Sequence, residues 1–293
     1  MSIEDYIIFV YCKVTQYYPK SHNKLRSRGF MPSLDDEEVI TMELIGEFLG
    51  FDADKHIWQY FTQHWKHYFP GLSSRTAFTR QSASLWQVKQ TLQVILSTKS
   101  HDNSSTSIVD GFPIPVCKYA RSGRHKLFQD DASFGFCAAQ DEKYFGFKGH
   151  IIVNKYGFIQ AADVTGANID ERQALLGIAE YSSKTLLGDK GYISEEISRT
   201  LKSQYGVSLH TPVRANMEET REKKFLSWMK WQRKRVETVI SQLVERFNIQ
   251  RVRARDLWHF NNRINRKILS HTIAMHANIY LGRELNQLGG IIG

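Results

Sequence analysis

Cysteine is scarce in this chain of 293 residues, long apolar runs are missing, and no internal repeat is visible. Cys12, Cys117 and Cys137 are odd in number and far apart, which argues against a disulfide framework or a zinc knuckle and suits a reducing cytosol. No apolar stretch approaches the roughly 20 residues that span a bilayer, so membrane partners lose ground. The first residues, Met1-Ser2-Ile3-Glu4-Asp5-Tyr6, open acidic and lack the shape of a signal peptide. Acid is in deficit as well, with 30 Asp and Glu against 39 Lys and Arg.

The formal net charge is therefore +9, and a basic protein of this size usually meets a polyanion, nucleic acid foremost. Hydrophobic residues make up 42%, enough for one large core or two smaller ones rather than disorder. The charge is concentrated: between Arg221 and Arg255 eleven Lys and Arg face only Glu222, Glu237 and Glu245, a local net of +8. A solvated helix surface would carry such charge, and so would a phosphate-binding one.

The first hundred residues have helical periodicity. Ser33-Leu34-Asp35-Asp36 resembles a capping box with Asp in place of Glu, and Val39, Ile40, Met42, Leu44, Ile45, Phe48 and Leu49 follow at helical spacing. Further helices are predicted over Asp54–Tyr68 and from Ser73 towards Leu96. Ser97–Thr106 is polar and reads as a linker. The pattern then changes. Ser107–Asp110 is a short β-branched run, and Tyr144–Asn154 and Phe158–Val164 form a predicted hairpin turning at Gly157. A helix capped by Asn168 or Asp170, a strand at Thr185–Leu187, a helix over Ser194–Gln204 and a strand at Val207–Val213 come next. A long helix from about Phe225 to Ile249 closes the series. The order β-β-β-α-β-α-β-α predicts an α/β mixed sheet flanked by helices, preceded by an all-α N-terminal domain.

Three acids stand out. Asp110 and Asp189 each end an apolar run and adjoin a glycine, and ligands in open α/β sheets gather beyond strand ends. Each alone is equally a turn-capping Asp. Glu237 lies on the long basic helix. On a wheel of about 100° per residue, with Glu237 at 0°, the apolar stripe centres near 270° and Val244 near 340° extends it, which puts Glu237 at the border of the buried face. Glu245, near 80° on that wheel, is expected to be exposed. Arg233 precedes Glu237 by four residues, so the two share a face and can pair. Three carboxylates offer oxygen-only ligands, a set that favours Mg²⁺ or Mn²⁺ over zinc and suits phosphodiester chemistry.

Val109-Asp110-Gly111-Phe112-Pro113, Gly146-Phe147-Lys148-Gly149-His150, Gly188-Asp189-Lys190-Gly191-Tyr192 and Arg233-Lys234-Arg235-Val236-Glu237-Thr238-Val239-Ile240-Ser241-Gln242-Leu243 resemble the DDE transposases of bacterial insertion sequences. The element order resembles the RNase H-like catalytic domain of that superfamily. The likeness runs from about Ser107 to Leu281; the N-terminal helices resemble, less specifically, the leader of one small insertion-sequence group. It implies a helical N-terminal domain at 1–99 that binds DNA ends, a linker at 100–106, a catalytic domain with C-terminal helices at 107–282, and a tail at 283–293. It makes Asp110, Asp189 and Glu237 the catalytic metal ligands for two Mg²⁺ ions, with Mn²⁺ able to substitute. Double-stranded DNA, as terminal repeats and target, becomes the partner. A homo-oligomer on DNA and a bacterial, nucleoid-associated location in the cytoplasm follow by the same resemblance.

Arg233 matches the Arg of the family's Tyr–Arg–Glu–Lys signature, while Lys230 stands at the Tyr position and Val244 at the Lys position. Lys230 or Arg246 is left to take the phosphate-holding role of that Lys. Only 48 positions separate Asp189 from Glu237, too few for the inserted β domain of some relatives. Lys148 and Lys190 are further candidates for phosphate contact near the scissile bond, or plain strand-edge and loop lysines. Arg75 and Arg80 on the polar stretch Ser73–Ser84 would begin a DNA-reading helix or a packing one. His271 and His276 are five apart, one more than helical zinc ligands, and read as core or surface histidines. A nuclease or resolvase that cuts without joining, and a non-catalytic DNA-binding derivative, are the competing readings.

Overall fold

The computed structural model describes residues 1–18, 31–99, 105–137 and 141–293. In chain order its elements are α1 (Ile3–Tyr17), α2 (Asp36–Phe48), α3 (Asp54–His64), α4 (Arg75–Ser84), α5 (Trp86–Lys99), β1 (Thr106–Lys118), β2 (Ser133–Cys137), β3 (Glu142–Asn154) and β4 (Ile159–Gly166). They continue with α6 (Glu171–Ile178), β5 (Thr185–Leu187), α7 (Glu195–Thr200), β6 (Ser208–His210), α8 (Lys223–Glu245) and α9 (Leu257–Tyr280). The chain forms two compact units, Met1–Ser100 with Leu243–Gly293, and His101–Gln242.

The first unit is helical. Ser2 and Asp5 form a capping box that starts α1. The box that starts α2 is Asp35 with Glu38, whose carboxylate accepts the Asp35 N–H at 2.8 Å; the expected Ser33–Asp36 box is two residues out of place. The helix predicted from Ser73 is two helices, because the chain breaks at Leu85 between α4 and α5. α9 is buried along most of its length and packs on α2 and α5.

That packing buries charge. Glu43, Glu47, Asp54, Lys89, Arg266 and Lys267 are all buried. Arg266 bonds Glu47 and Asp54 through its guanidinium and donates to the Asp52 carbonyl at 3.0 Å. Lys267 reaches Glu47 at 2.7 Å and the Phe247 carbonyl at 2.6 Å, and Lys89 pairs with Glu43. Three acids and three bases balance, as burial of charge requires. These partners explain why α9 groups with the N-terminal helices, whereas the sequence expectation joined it to the 107–282 region. The 283–293 stretch also folds onto this unit: Leu288 and Ile291 are buried, and the Met1 ammonium donates to the Ile291 carbonyl at 2.7 Å. Of the expected linker, residues 100–104 lie outside the described residues, and Thr106 already belongs to β1.

The second unit holds one mixed sheet of six strands in the order β2-β3-β1-β5-β6, with β4 also on β3. β3 is antiparallel to β1, β2 and β4, while β1, β5 and β6 run parallel. β2 pairs with the first residues of β3 and β4 with the rest, so the two lie end to end along one edge. The predicted hairpin is present as β3 and β4, with Gly157 at φ +100° in the turn. Asp170 caps α6 by accepting the Arg172 N–H. Four strands, not three, precede α6. The added strand, β2, exposes Phe134 and Phe136 where burial would be expected, so its pattern does not announce a strand. Val109, Ile152, Leu175, Leu186, Tyr192 and Leu201 are among the buried residues that form the core of this unit.

Candidate active site

Asp110 does not end its strand. β1 continues to Lys118 with Asp110 opposite Ile151 on β3. What ends near Asp110 is the parallel pairing with β5, whose last rung is Ile108–Leu187. Asp110 and Asp189 are each two residues beyond that rung. Because side chains alternate along a strand, both point to the same face, and neighbouring strands are only about 4.8 Å apart. The structure thus brings the two aspartates together.

Each is also held by a nearby backbone N–H. Asp110 accepts the Gly111 N–H at 2.8 Å, and Asp189 caps a 3-10 turn at Lys190–Tyr192 by accepting the Gly191 N–H at 2.7 Å. The glycines of the Gly188–Tyr192 motif have steric reasons. A Cβ on Gly188 would lie 3.1 Å from the Tyr192 ring, and one on Gly191 would lie 2.6 Å from Glu171 Oε2 and 2.9 Å from Asp189 Oδ1. Gly149 faces Phe112 across β1 and β3, where a Cβ would meet the ring at 2.6 Å.

Burial pushes the Asp110 carboxyl up to about 6. The Gly111 N–H and Arg233 oppose the rise, and the charges of Asp189 and Glu171 add to it. Arg233 Nη2 stands 4.0 Å from Asp110 Oδ2, so this guanidinium is directed at β1 rather than paired with Glu237. Its Nε is buried and, among the described residues, has no hydrogen-bond partner.

Glu237 is exposed, not at the border of the buried face. The buried residues of α8 are Met229, Gln232, Val236, Val239 and Leu243, which centre near 240° on the same wheel, about 120° from Glu237. The apolar count behind the expected border included Ile240 and Val244, which are only half-buried. Glu245 is exposed as expected. Glu237 lines a cleft of about 630 Å³ with Lys190, Lys230, Arg233, Glu219 and Pro212.

The remaining basic candidates separate. Lys190 and Lys230 are exposed and share the cleft with Arg233. Lys148, on β3, pairs with Glu171 at 3.3 Å. Arg246 belongs to the helical unit, where its guanidinium stacks 4.1 Å from the Phe48 ring centre. Arg80 lines a small cavity with Pro32, Ser33 and Ser73, and α4 buries Phe78 and Gln81. His271 and His276 are core residues: burial lowers His271 to about 3, and the His276 ring bonds the Leu96 carbonyl at 3.0 Å. His150 is buried against Thr165, and burial lowers it to about 4.

Residues 100–257 match a family model described as the transposase DDE domain. The chain belongs to that family. No curated protein matches the chain. Family membership supports a transposase-like function on DNA and a nuclease or transferase class of enzyme. A divalent cation is general in the family, and the oxygen donors of Asp110 and Asp189 fit one chemically. Among the described residues, however, no three His, Cys, Asp or Glu side chains stand together as a ready metal cage. Mg²⁺ tolerates this, since it commonly takes one or two carboxylates and completes its shell with water and substrate phosphate. Among the described residues no helix is long and apolar enough to cross a membrane.

Two residues at this place escaped the sequence reading. Glu171 follows the Asp170 cap and reads as an ordinary first-turn acid of a helix. Tyr192 sits in a quoted motif but carries no sequence signal for its burial. Only the fold turns both towards the aspartates.

Proposed function

We propose that the protein is the transposase of a bacterial insertion sequence, cleaving DNA at the element's ends and joining the freed 3′ ends to target DNA. Asp110, Asp189 and Glu237 are its catalytic carboxylates. The observation that carries this reading is the placing of Asp110 and Asp189 at equivalent positions beyond the last rung of β1 and β5. The strand order, with β3 antiparallel and β1, β5 and β6 parallel, supports an RNase H-like catalytic domain.

Two Mg²⁺ ions, replaceable by Mn²⁺, supply activation of the attacking water and stabilisation of the departing 3′ oxygen. The chain's own residues do the rest. Asp110 and Asp189 are each held in place by a backbone N–H, of Gly111 and Gly191. Arg233 offsets the negative charge of Asp110. Lys190 and Lys230, exposed on the cleft that Glu237 lines, neutralise phosphates of double-stranded DNA entering it. Lys148 and Arg246 are assigned to DNA backbone contact, and the N-terminal helices within 1–99 to the element's terminal repeats. The active form is a homo-oligomer on paired ends in the bacterial cytoplasm, associated with the nucleoid.

The test uses the purified full chain, Mg²⁺, labelled element ends and a supercoiled target. Cut and joined products support the proposal. Cutting without joining would make the protein a nuclease or resolvase, and no Mg²⁺-dependent product would leave a DNA-binding derivative.

A further inference from the structure

The acids at this centre number three without Glu237. Glu171 Oε2 and Asp189 Oδ1 each lie within 3 Å of the point where a Gly191 Cβ would stand, at 2.6 and 2.9 Å. The two oxygens are therefore within about 6 Å of each other, a span that a hydrated divalent cation bridges. Glu171 Oε1 lies 3.3 Å from the corresponding point on Gly111, the neighbour of Asp110. One carboxylate thus reaches the backbone beside both aspartates.

A second observation points to a ligand. Tyr192 is fully buried, and among the described residues its hydroxyl has no hydrogen-bond partner. The carboxylates of Glu171, Asp110 and Asp189 all bear on that phenol. A buried hydroxyl without a partner is costly, and the charges of Asp189 and Glu171 work against that of Asp110. The Lys148–Glu171 pair, partly exposed at 3.3 Å, is weak compensation.

We propose that Glu171 is a further carboxylate of the cation site, taking up the divalent ion together with Asp110 and Asp189, and that Lys148 is its partner only while the ion is absent. The inference rests on the transposase reading. On loading, Glu171 turns from Lys148 to the ion, and the freed ammonium of Lys148 becomes available to DNA phosphate.

Mn²⁺ binding to the full chain by calorimetry tests this without DNA cleavage. Glu171→Gln is expected to weaken Mn²⁺ at least tenfold while circular dichroism and the metal-free Tm stay near those of the parent. Lys148→Met combined with Glu171→Gln is expected to stay weak; recovery of affinity in the double variant would reduce Glu171 to a neutraliser of Lys148 and overturn the proposal. Gly191→Ala, whose Cβ displaces the flexible Glu171 carboxylate, is expected to weaken Mn²⁺ as well. Parent-like affinity in Glu171→Gln, with affinity lost in Asp110→Asn and Asp189→Asn, overturns the role of Glu171 and leaves the transposase reading standing. Absence of Mn²⁺ binding in the parent chain overturns both.

Discussion

Asp189, two residues past the end of the adjoining strand β5, works against the ionisation of Asp110, as Glu171 does from α6. Burial is the larger influence, and together they bring the Asp110 carboxyl to about 6. A carboxyl raised in the folded state stabilises the fold below its unfolded value, and that contribution is lost as pH rises through the folded value. Metal-free protein is therefore expected to lose stability between about pH 4 and pH 6. Asp110→Asn removes that loss and is expected to raise stability at pH 7 by on the order of 1–3 kcal/mol in EDTA, while abolishing strand cleavage. Denaturant melts at pH 4, 5, 6 and 7, with a parallel cleavage assay, check both halves. Nicking at the parent rate would remove Asp110 from the active site.

Glu237 is exposed and, unlike Asp110, has little to lose in stability. Glu237→Gln is expected to change unfolding free energy by less than about 0.5 kcal/mol and to leave DNA binding intact, yet to abolish cleavage. Glu245→Gln, equally exposed on the same helix, is the control and should cleave normally. Equal cleavage by the two variants would show that Glu237 has no part in the chemistry.

The ionic cluster of the helical unit is expected to be intolerant of single changes. Arg266→Met leaves Glu47 and Asp54 buried without their shared guanidinium. Removing one partner of a buried pair costs about 3–5 kcal/mol. Urea unfolding measures this, and a loss below about 1 kcal/mol would mean that the charges are not held apart from water as described. The same contacts mean that a fragment ending at Lys99 strands Glu47 and Asp54, so DNA-end binding is better tested on the full chain.

His271 gives the opposite pH response to Asp110. Burial holds its imidazole neutral, down at about 3 from an ordinary 6.5. A depressed value contributes stability that is present above about pH 6.5 and lost as pH falls towards the folded value. The slope is at most about 1.4 kcal/mol per pH unit. His271→Leu is expected to flatten the acid limb of the stability profile between pH 6.5 and 4, read as the difference from the parent so that carboxylates common to both cancel. Identical acid limbs would show that His271 titrates normally.

The helices and strands with strong periodicity are legible from the chain alone. The β3–β4 hairpin and its Gly157 turn, the Asp170 cap and the strand at Thr185–Leu187 follow from local chemistry, since turn residues and alternation act over a few positions. β2 is not legible, because an edge strand that exposes its aromatics lacks the burial alternation by which strands are read. Glu43 and Glu47 look like solvated helix acids in sequence and are core residues in the fold. Their partners on α9 are more than 200 positions away, beyond the reach of any local pattern.

The sequence by itself determined the residue types of the acidic centre, the basic charge and the α/β order, because each is a property of composition or short spacing. Only the tertiary structure decided which acids meet. The β1–β5 register sets Asp110 beside Asp189, the turn at Gly191 admits Glu171, and the orientation of α8 leaves Glu237 on an exposed face. Register and helix rotation are fixed by packing between distant segments, and packing of that kind leaves no mark in the spacing of the residues it unites.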